Sequence, residues 1–163
     1  MLTRTPGVIE KLLSGLPEAW IKTNEGPDTW SPYDIVGHLI QGEKTDWIPR
    51  VQIILNDGED KTFAPFDRFA QFEASKGKSL EQLLEEFAWL RKQNVKTLQS
   101  MQLHNQKLEK TGMHPDLGVV TLSQLLATWV AHDLSHINQM SRVMARFYKE
   151  EAGPWKAYIS ILQ

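Results

Sequence analysis

An all-α fold, a four-helix bundle closed by a short C-terminal helix, is what this sequence predicts. Three observations carry that prediction. Four segments repeat apolar residues at the helical period, each opens on a start signal, and no segment keeps a period-two alternation bounded by turns. The chain has 163 residues, of which 41% are hydrophobic, so one folded domain spanning residues 1–163 is expected.

The first segment, "TPGVIEKLLSGLP", sets Thr5 as N-cap and Pro6 at the first helical position. Val8, Ile9, Leu12, Leu13 and Leu16 then share a face, and Pro17 ends it. Ser31 and Pro32 give the same signal for a second helix that runs to Asn56 and Asp57, with a kink or break expected near Ile48 because of Pro49. Ser79 and Gln82 form a capping box for the third helix, whose apolar face runs from Leu80 through Phe87 to Met101 and is interrupted by Asn94. Thr121 and Gln124 form another box for the longest periodic segment, about seven turns. A short terminal helix, "GPWKAYISIL", restarts after Gly153 and Pro154 and is expected to pack across one end. Strands are incidental in this reading.

Two connections exceed the usual few residues: about 20 between the second and third helices and about 16 between the third and fourth. Such lengths suit crossovers or lids over a site. The first contains Phe63, Phe66, Phe69 and Phe72, which suit either a lid or plain core cover.

Composition removes several function classes. The 18 Lys and Arg are spread among 20 acids for a formal net charge of -2, so no basic block follows a phosphate backbone and nucleic acid is not an expected partner. No apolar run reaches the roughly 20 residues of a membrane helix, and "MLTRTPGVIEKLL" lacks the apolar block of a secretory signal. A cytoplasmic protein without membrane contact is the expectation. Cysteine is absent, which excludes disulfides, thiolate nucleophiles and Cys-ligated zinc.

Within "WVAHDLSHINQM", His132 and His136 stand four residues apart, a spacing that stacks two imidazoles on one helix face. The stripe through Leu125, Trp129, Met140 and Val143 turns both rings inward. Two readings stay open: buried histidines satisfied by hydrogen bonds, or half of a metal site. His38 on the second helix is a third imidazole that a bundle can bring across, whereas His104 and His114 belong to a connection and are read as exposed. The metalloprotease motif fits only in part, since Asp133 occupies the Glu position; there an Asp is more simply a solvated charge. Trp129 reads as core.

"WSPYDIVGHLIQGE", followed far downstream by "HPDLGVVTLSQLLATWVAHDLSHINQMSRV", resembles the DinB-like superfamily of small four-helix metalloenzymes. That resemblance implies a divalent ion, nickel or zinc, on His38, His132 and His136, and often a homodimer. It further implies a small-molecule substrate, with water or a low-molecular-weight thiol cosubstrate activated for hydrolase or S-transferase chemistry. Three neutral imidazoles leave an open position on such an ion, as catalytic sites do. Gln41, Glu43, Asp133 and Gln139 are candidates to hold the second ring nitrogens. The competing function is a non-catalytic helical bundle, a stress-related binding or scaffold protein whose histidines are only packed.

Overall fold

The computed structural model describes residues 1–163. In chain order its helices are α1 (Thr5–Leu13), α2 (Glu18–Lys22), α3 (Pro32–Thr45), α4 (Trp47–Leu55), α5 (Ala70–Ser75), α6 (Leu80–Ser100), α7 (Asn105–Leu108) and α8 (Leu122–Ala145). A hairpin of β1 (Thr111–His114) and β2 (Gly118–Thr121) precedes α8. The four-helix bundle consists of α1, α3 with its continuation α4, α6 and α8. No helix is long and apolar enough to cross a membrane.

Local chemistry explains most boundaries. Ser31 with Asp34, Ser79 with Gln82 and Thr121 with Gln124 each satisfy two otherwise unpaired N–H groups in reciprocal capping boxes. Thr5 departs from its expected role: Arg4 takes the cap position without a side-chain bond, and the Thr5 hydroxyl donates to Asp133 Oδ2 at 2.6 Å. A buried carboxylate outcompetes the helix terminus for that hydroxyl. The break expected near Ile48 falls at Asp46, with φ -110° and ψ -68°, and divides the second helical segment into α3 and α4. Pro49 has no N–H for the Thr45 carbonyl and its ring would collide with that oxygen, so the break falls three residues before the proline.

Strand structure is confined to the one small hairpin, yet it has a role. Met113 pairs with Val119 in the hairpin, and Gly118 at φ +75° turns the chain where a side chain would be strained. The other long connection joins it: Phe63 N–H donates to Met113 O, and Met113 N–H donates to Lys61 O, both at 2.9 Å. The two long connections are thereby stitched together over one end of α4 and α8. Gly112 permits this, because a Cβ there would lie 2.6 Å from the Phe63 ring. The expected terminal helix is instead a series of 3-10 turns (Arg146–Tyr148, Gly153–Tyr158, Ser160–Leu162), with Leu162 buried and Trp155 and Tyr158 exposed. Gly153 at φ +50° interrupts the α-helical path, and the remaining turns are too short to offer an apolar face.

The core has two apolar clusters, one around Ile9, Ile35, Leu39, Leu83 and Phe87, the other around Trp47, Ile54, Phe63, Leu122 and Trp129. Arg91 joins them, its guanidinium 5.0 Å from the Phe87 ring and 5.2 Å from the Trp129 ring. It is 1% exposed. Arg91 Nη2 donates to Glu43 Oε1 and Asp133 Oδ1, each at 2.8 Å, and Nη1 donates to Asp133 Oδ2 at 2.5 Å. Asn94, which interrupts the α6 stripe, donates to Glu43 Oε2 at 2.9 Å, and Trp129 Nε1–H donates to Glu43 Oε1 at 3.2 Å. With Thr5 on Asp133, every bundle helix contributes to one buried polar network.

Removing the cation would strand two buried carboxylates, a loss of about 3–5 kcal/mol for a broken buried pair. Arg91→Met should therefore lower the unfolding free energy by that amount in urea titrations followed by circular dichroism. A loss under about 1 kcal/mol would show that the network is dispensable.

Candidate metal centre

His38 projects from α3 and His132 and His136 from successive turns of α8. Their Nε2 atoms converge: His132 Nε2 lies 3.1 Å from His38 Nε2 and 3.1 Å from His136 Nε2, and one nitrogen from each ring falls within 4.8 Å of the others. Phase explains the meeting. His132 and His136 are four apart on one face, and the break after α3 leaves His38 in the unbroken half of the paired helix. The spacing of these atoms suits a shared cation, because three neighbouring lone pairs repel unless a proton or a metal ion lies between them.

Aromatic rings wall the cluster. Trp30 lies over His38 with ring centres 4.7 Å apart, Phe66 meets His38 edge-on at 5.4 Å, and Trp47 meets His132 edge-on at 5.2 Å. Burial in this apolar setting, reinforced by the neighbouring imidazoles, depresses the pKa of His38 to about 3. Burial, with His136 adding to it, depresses that of His132 to about 4. Burial also lowers His136, against the pull of Gln139 and Asp133. All three rings are neutral at pH 7, the protonation state in which imidazole binds metals.

Of the four side chains considered for orienting the rings, one does so. Gln139 Oε1 lies 3.0 Å from His136 Nδ1; an amide oxygen only accepts, so Nδ1 carries the proton and Nε2 presents its lone pair to the cluster. Glu43 and Asp133 are committed to Arg91 instead. Asp133 lies about 100° round α8 from His132 and faces α6 and α1, so it is neither a solvated charge nor a protease-like base. Gln41 reaches no imidazole. The Nδ1 atoms of His38 and His132 are buried without a partner.

His132 and His38 open onto a cleft of about 370 Å³ roofed by the two long connections. The phenylalanines divide: Phe63 is core, Phe66 covers His38 at the cleft wall, and Phe69 and Phe72 are exposed. Trp129 is core as expected, stacked on Trp47 at 5.5 Å. His104 is exposed, whereas His114, read as exposed, is half-buried at the end of β1 and lines the cleft. The hairpin, which no periodicity announced, moves it there.

Sequence reasoning missed Asp46 and Arg50, which line the same cleft and are both less than a tenth exposed. Their one signal was an acid and a base four apart, bracketing Pro49. Arg50 Nε approaches Asp46 Oδ1 to 2.6 Å, yet the N–H does not point at the oxygen, so charge rather than a hydrogen bond joins them. Burial raises the Asp46 pKa against the opposing influence of Arg50. Trp30 was missed for want of any periodic context.

Neutral histidines have a thermodynamic consequence. Their folded pKa values lie below the unfolded value near 6.5, so the unfolded chain takes up protons first as pH falls, and stability is lost from about pH 6.5 downward. Without metal, the unfolding free energy from urea titrations should drop between pH 7 and 5, by up to about 1.4 kcal/mol per pH unit for each such ring. Asp46 and Glu43, raised by burial, act in the opposite sense, so the comparison that isolates the effect is wild type against His132→Gln. Parallel pH slopes in the two proteins would contradict a buried neutral His132.

A family model described as the DinB superfamily matches residues 1–140. Among solved structures, YfiT from Bacillus subtilis, described as "a probable metal-dependent hydrolase with an unusual four-helix bundle topology", is similar with a TM-score of 0.75 and 21% identity. The alignment covers 90% of this chain and 83% of that chain. At this identity the likeness establishes a common fold. No curated protein matches the sequence.

Proposed function

This chain belongs to the DinB superfamily, and on that premise we propose that it is a divalent-metal-dependent enzyme acting on a small molecule. Its ion is held by His38, His132 and His136. The observation that carries this reading is the convergence of three neutral imidazoles whose Nε2 atoms are 3.1 Å from their neighbour on α8. A structural zinc site would call for a fourth protein ligand. Here no Cys, Asp or Glu completes the cluster, and the cleft meets it from the open side.

When bound, a divalent ion supplies Lewis acidity, bringing the pKa of water toward 7 and acidifying a thiol likewise. The chain's own residues supply the rest. Burial keeps the rings deprotonated, Gln139 holds the His136 tautomer, Trp30 covers the cluster away from the cleft, and Trp47 and Phe66 form apolar cleft wall beside it. With no cysteine in the chain, a thiol nucleophile must arrive as a cosubstrate. The likeness to YfiT supports hydrolysis, and the family resemblance supports thiol transfer with nickel or zinc; in both the nucleophile is small and the electrophile occupies the cleft. Assembly as a homodimer is part of the proposal on grounds of kinship.

Untagged protein should carry close to one nickel or zinc ion per chain by inductively coupled plasma mass spectrometry, and His136→Ala should lose it while keeping a helical circular-dichroism spectrum. Because the ion would bind the native state alone, a concentration 100-fold above its dissociation constant should add about 2.7 kcal/mol of stability. Melting indifferent to chelator and to added zinc or nickel would favour a non-catalytic bundle.

A further inference from the structure

The cleft has a second polar end that the three imidazoles leave unused. Asp46 and Arg50 face each other across the first turn of α4, and Arg50 carries its guanidinium 5.1 Å from the Phe63 ring. The ion pair engages Nε alone; the two terminal nitrogens of Arg50 donate to no acceptor of the chain. A guanidinium in a cleft, with its outward edge free, has the geometry of a fork for a planar anion.

His114 adds a donor beside it. Its Nδ1 accepts from the Asp116 and Leu117 N–H groups, at 3.1 and 3.2 Å. Nδ1 is therefore unprotonated, and the ring proton sits on Nε2. The β-turn thus fixes the tautomer of a histidine that lines the same cleft as Arg50. Arg50 and His114 line the same cleft and both lie against the Phe63 ring, Arg50 at 5.1 Å and His114 edge-on at 6.3 Å, with Gln124 and Thr128 the uncharged polar side chains of the same wall.

We propose that Arg50 and His114 form a carboxylate-binding subsite, and that the substrates of this protein are small carboxylic acids whose reacting bond lies a few atoms from the carboxylate. The proposal rests on the reading of His38, His132 and His136 as the reaction centre and specifies its substrate class. Charge selects carboxylate over phosphate. Asp46 cancels the net charge of Arg50, so the anion is held by the directional donors of the free guanidinium edge, which match a planar monoanion, while the second charge of a phosphate dianion meets no counter-charge and faces Asp46. The other acid of the cleft, Asp116, is exposed at the rim, where water and salt screen it. Spacing limits substrate length: Trp47, which meets His132, and Arg50 are three residues apart on α4, about 4.5 Å of rise.

Butyrate, butyramide and inorganic phosphate serve as probes, titrated into the full chain and followed by saturation-transfer NMR. Chelator-treated protein is used first, so that a carboxylate cannot report by binding the ion. Butyrate should bind, butyramide should bind at least tenfold more weakly, and phosphate should not displace butyrate. Arg50→Gln should weaken butyrate at least tenfold, and His114→Phe severalfold. Because Arg50→Gln leaves Asp46 alone in a buried position, Asp46→Asn with Arg50→Gln provides the neutral pair of equal shape, and the same loss is expected there with the circular-dichroism spectrum unchanged. Undiminished butyrate binding in the double variant, or tighter binding of phosphate than of butyrate, would overturn the subsite. The two readings fail separately. Arg50-dependent butyrate binding in a chain that takes up no zinc or nickel would sink the reaction centre and leave the subsite, whereas metal uptake with Arg50-independent butyrate binding would do the reverse.

Discussion

Everything in this bundle turns around one buried cation. Arg91 sits where α1, α3, α6 and α8 come together, and its donors are met by Glu43 and Asp133 with Leu2 O as a further acceptor. Apolar packing alone would tolerate a helix rotated by part of a turn, because leucines and isoleucines fill space from several phases. A guanidinium fork facing two carboxylates tolerates far less. Glu43 fixes the phase of α3 and Asp133 that of α8, and those two helices carry His38 and the His132–His136 pair. The network touches no imidazole, yet it decides that the imidazoles meet.

The division of labour on α8 follows from helical geometry. Consecutive residues point about 100° apart, so His132 and Asp133 serve different sides of one helix, the first the cleft and the second the network. The break at Asp46 makes a similar division on the partner strand of helix. Up to Thr45 the chain serves the bundle and the imidazole cluster; beyond it, α4 swings its residues along the cleft, and Trp47 and Arg50 become its wall. Pro49 is the cause, through the carbonyl it cannot satisfy.

Much of this could be seen in the sequence, for reasons of range. Three capping boxes, the apolar stripes and the i, i+4 histidines are local patterns, and each is where the pattern puts it. The imidazole cluster needed His38 as well, a contact across 94 positions, and the family resemblance supplied the pairing that periodicity could not. Arg91 was visible as a charge on an apolar stripe, four residues after Phe87, yet nothing local tells whether such a residue is paired or merely tolerated. Glu43 and Asp133 were candidates to orient the histidines and turn out to pair with Arg91, because adjacency along a helix is not adjacency across it. The hairpin lies within Thr111–Thr121, but its strands are too short to announce a period; the seating of His114 over the cleft depends on hydrogen bonds of Met113 with Lys61 and Phe63, between two distant connections, which no window of sequence contains.

The stitching of those connections separates two kinds of change. The floor of the cleft belongs to helices locked by the Arg91 network, while its roof hangs on a hairpin and two backbone hydrogen bonds at Met113. Backbone bonds are indifferent to side-chain identity. Apart from Gly112, Gly118 and the core residue Phe63, the roof can therefore be rewritten residue by residue, altering what fits beneath it, with little cost to the helices below. Descendants of such a scaffold can reshape the cleft while inheriting the same cluster of imidazoles.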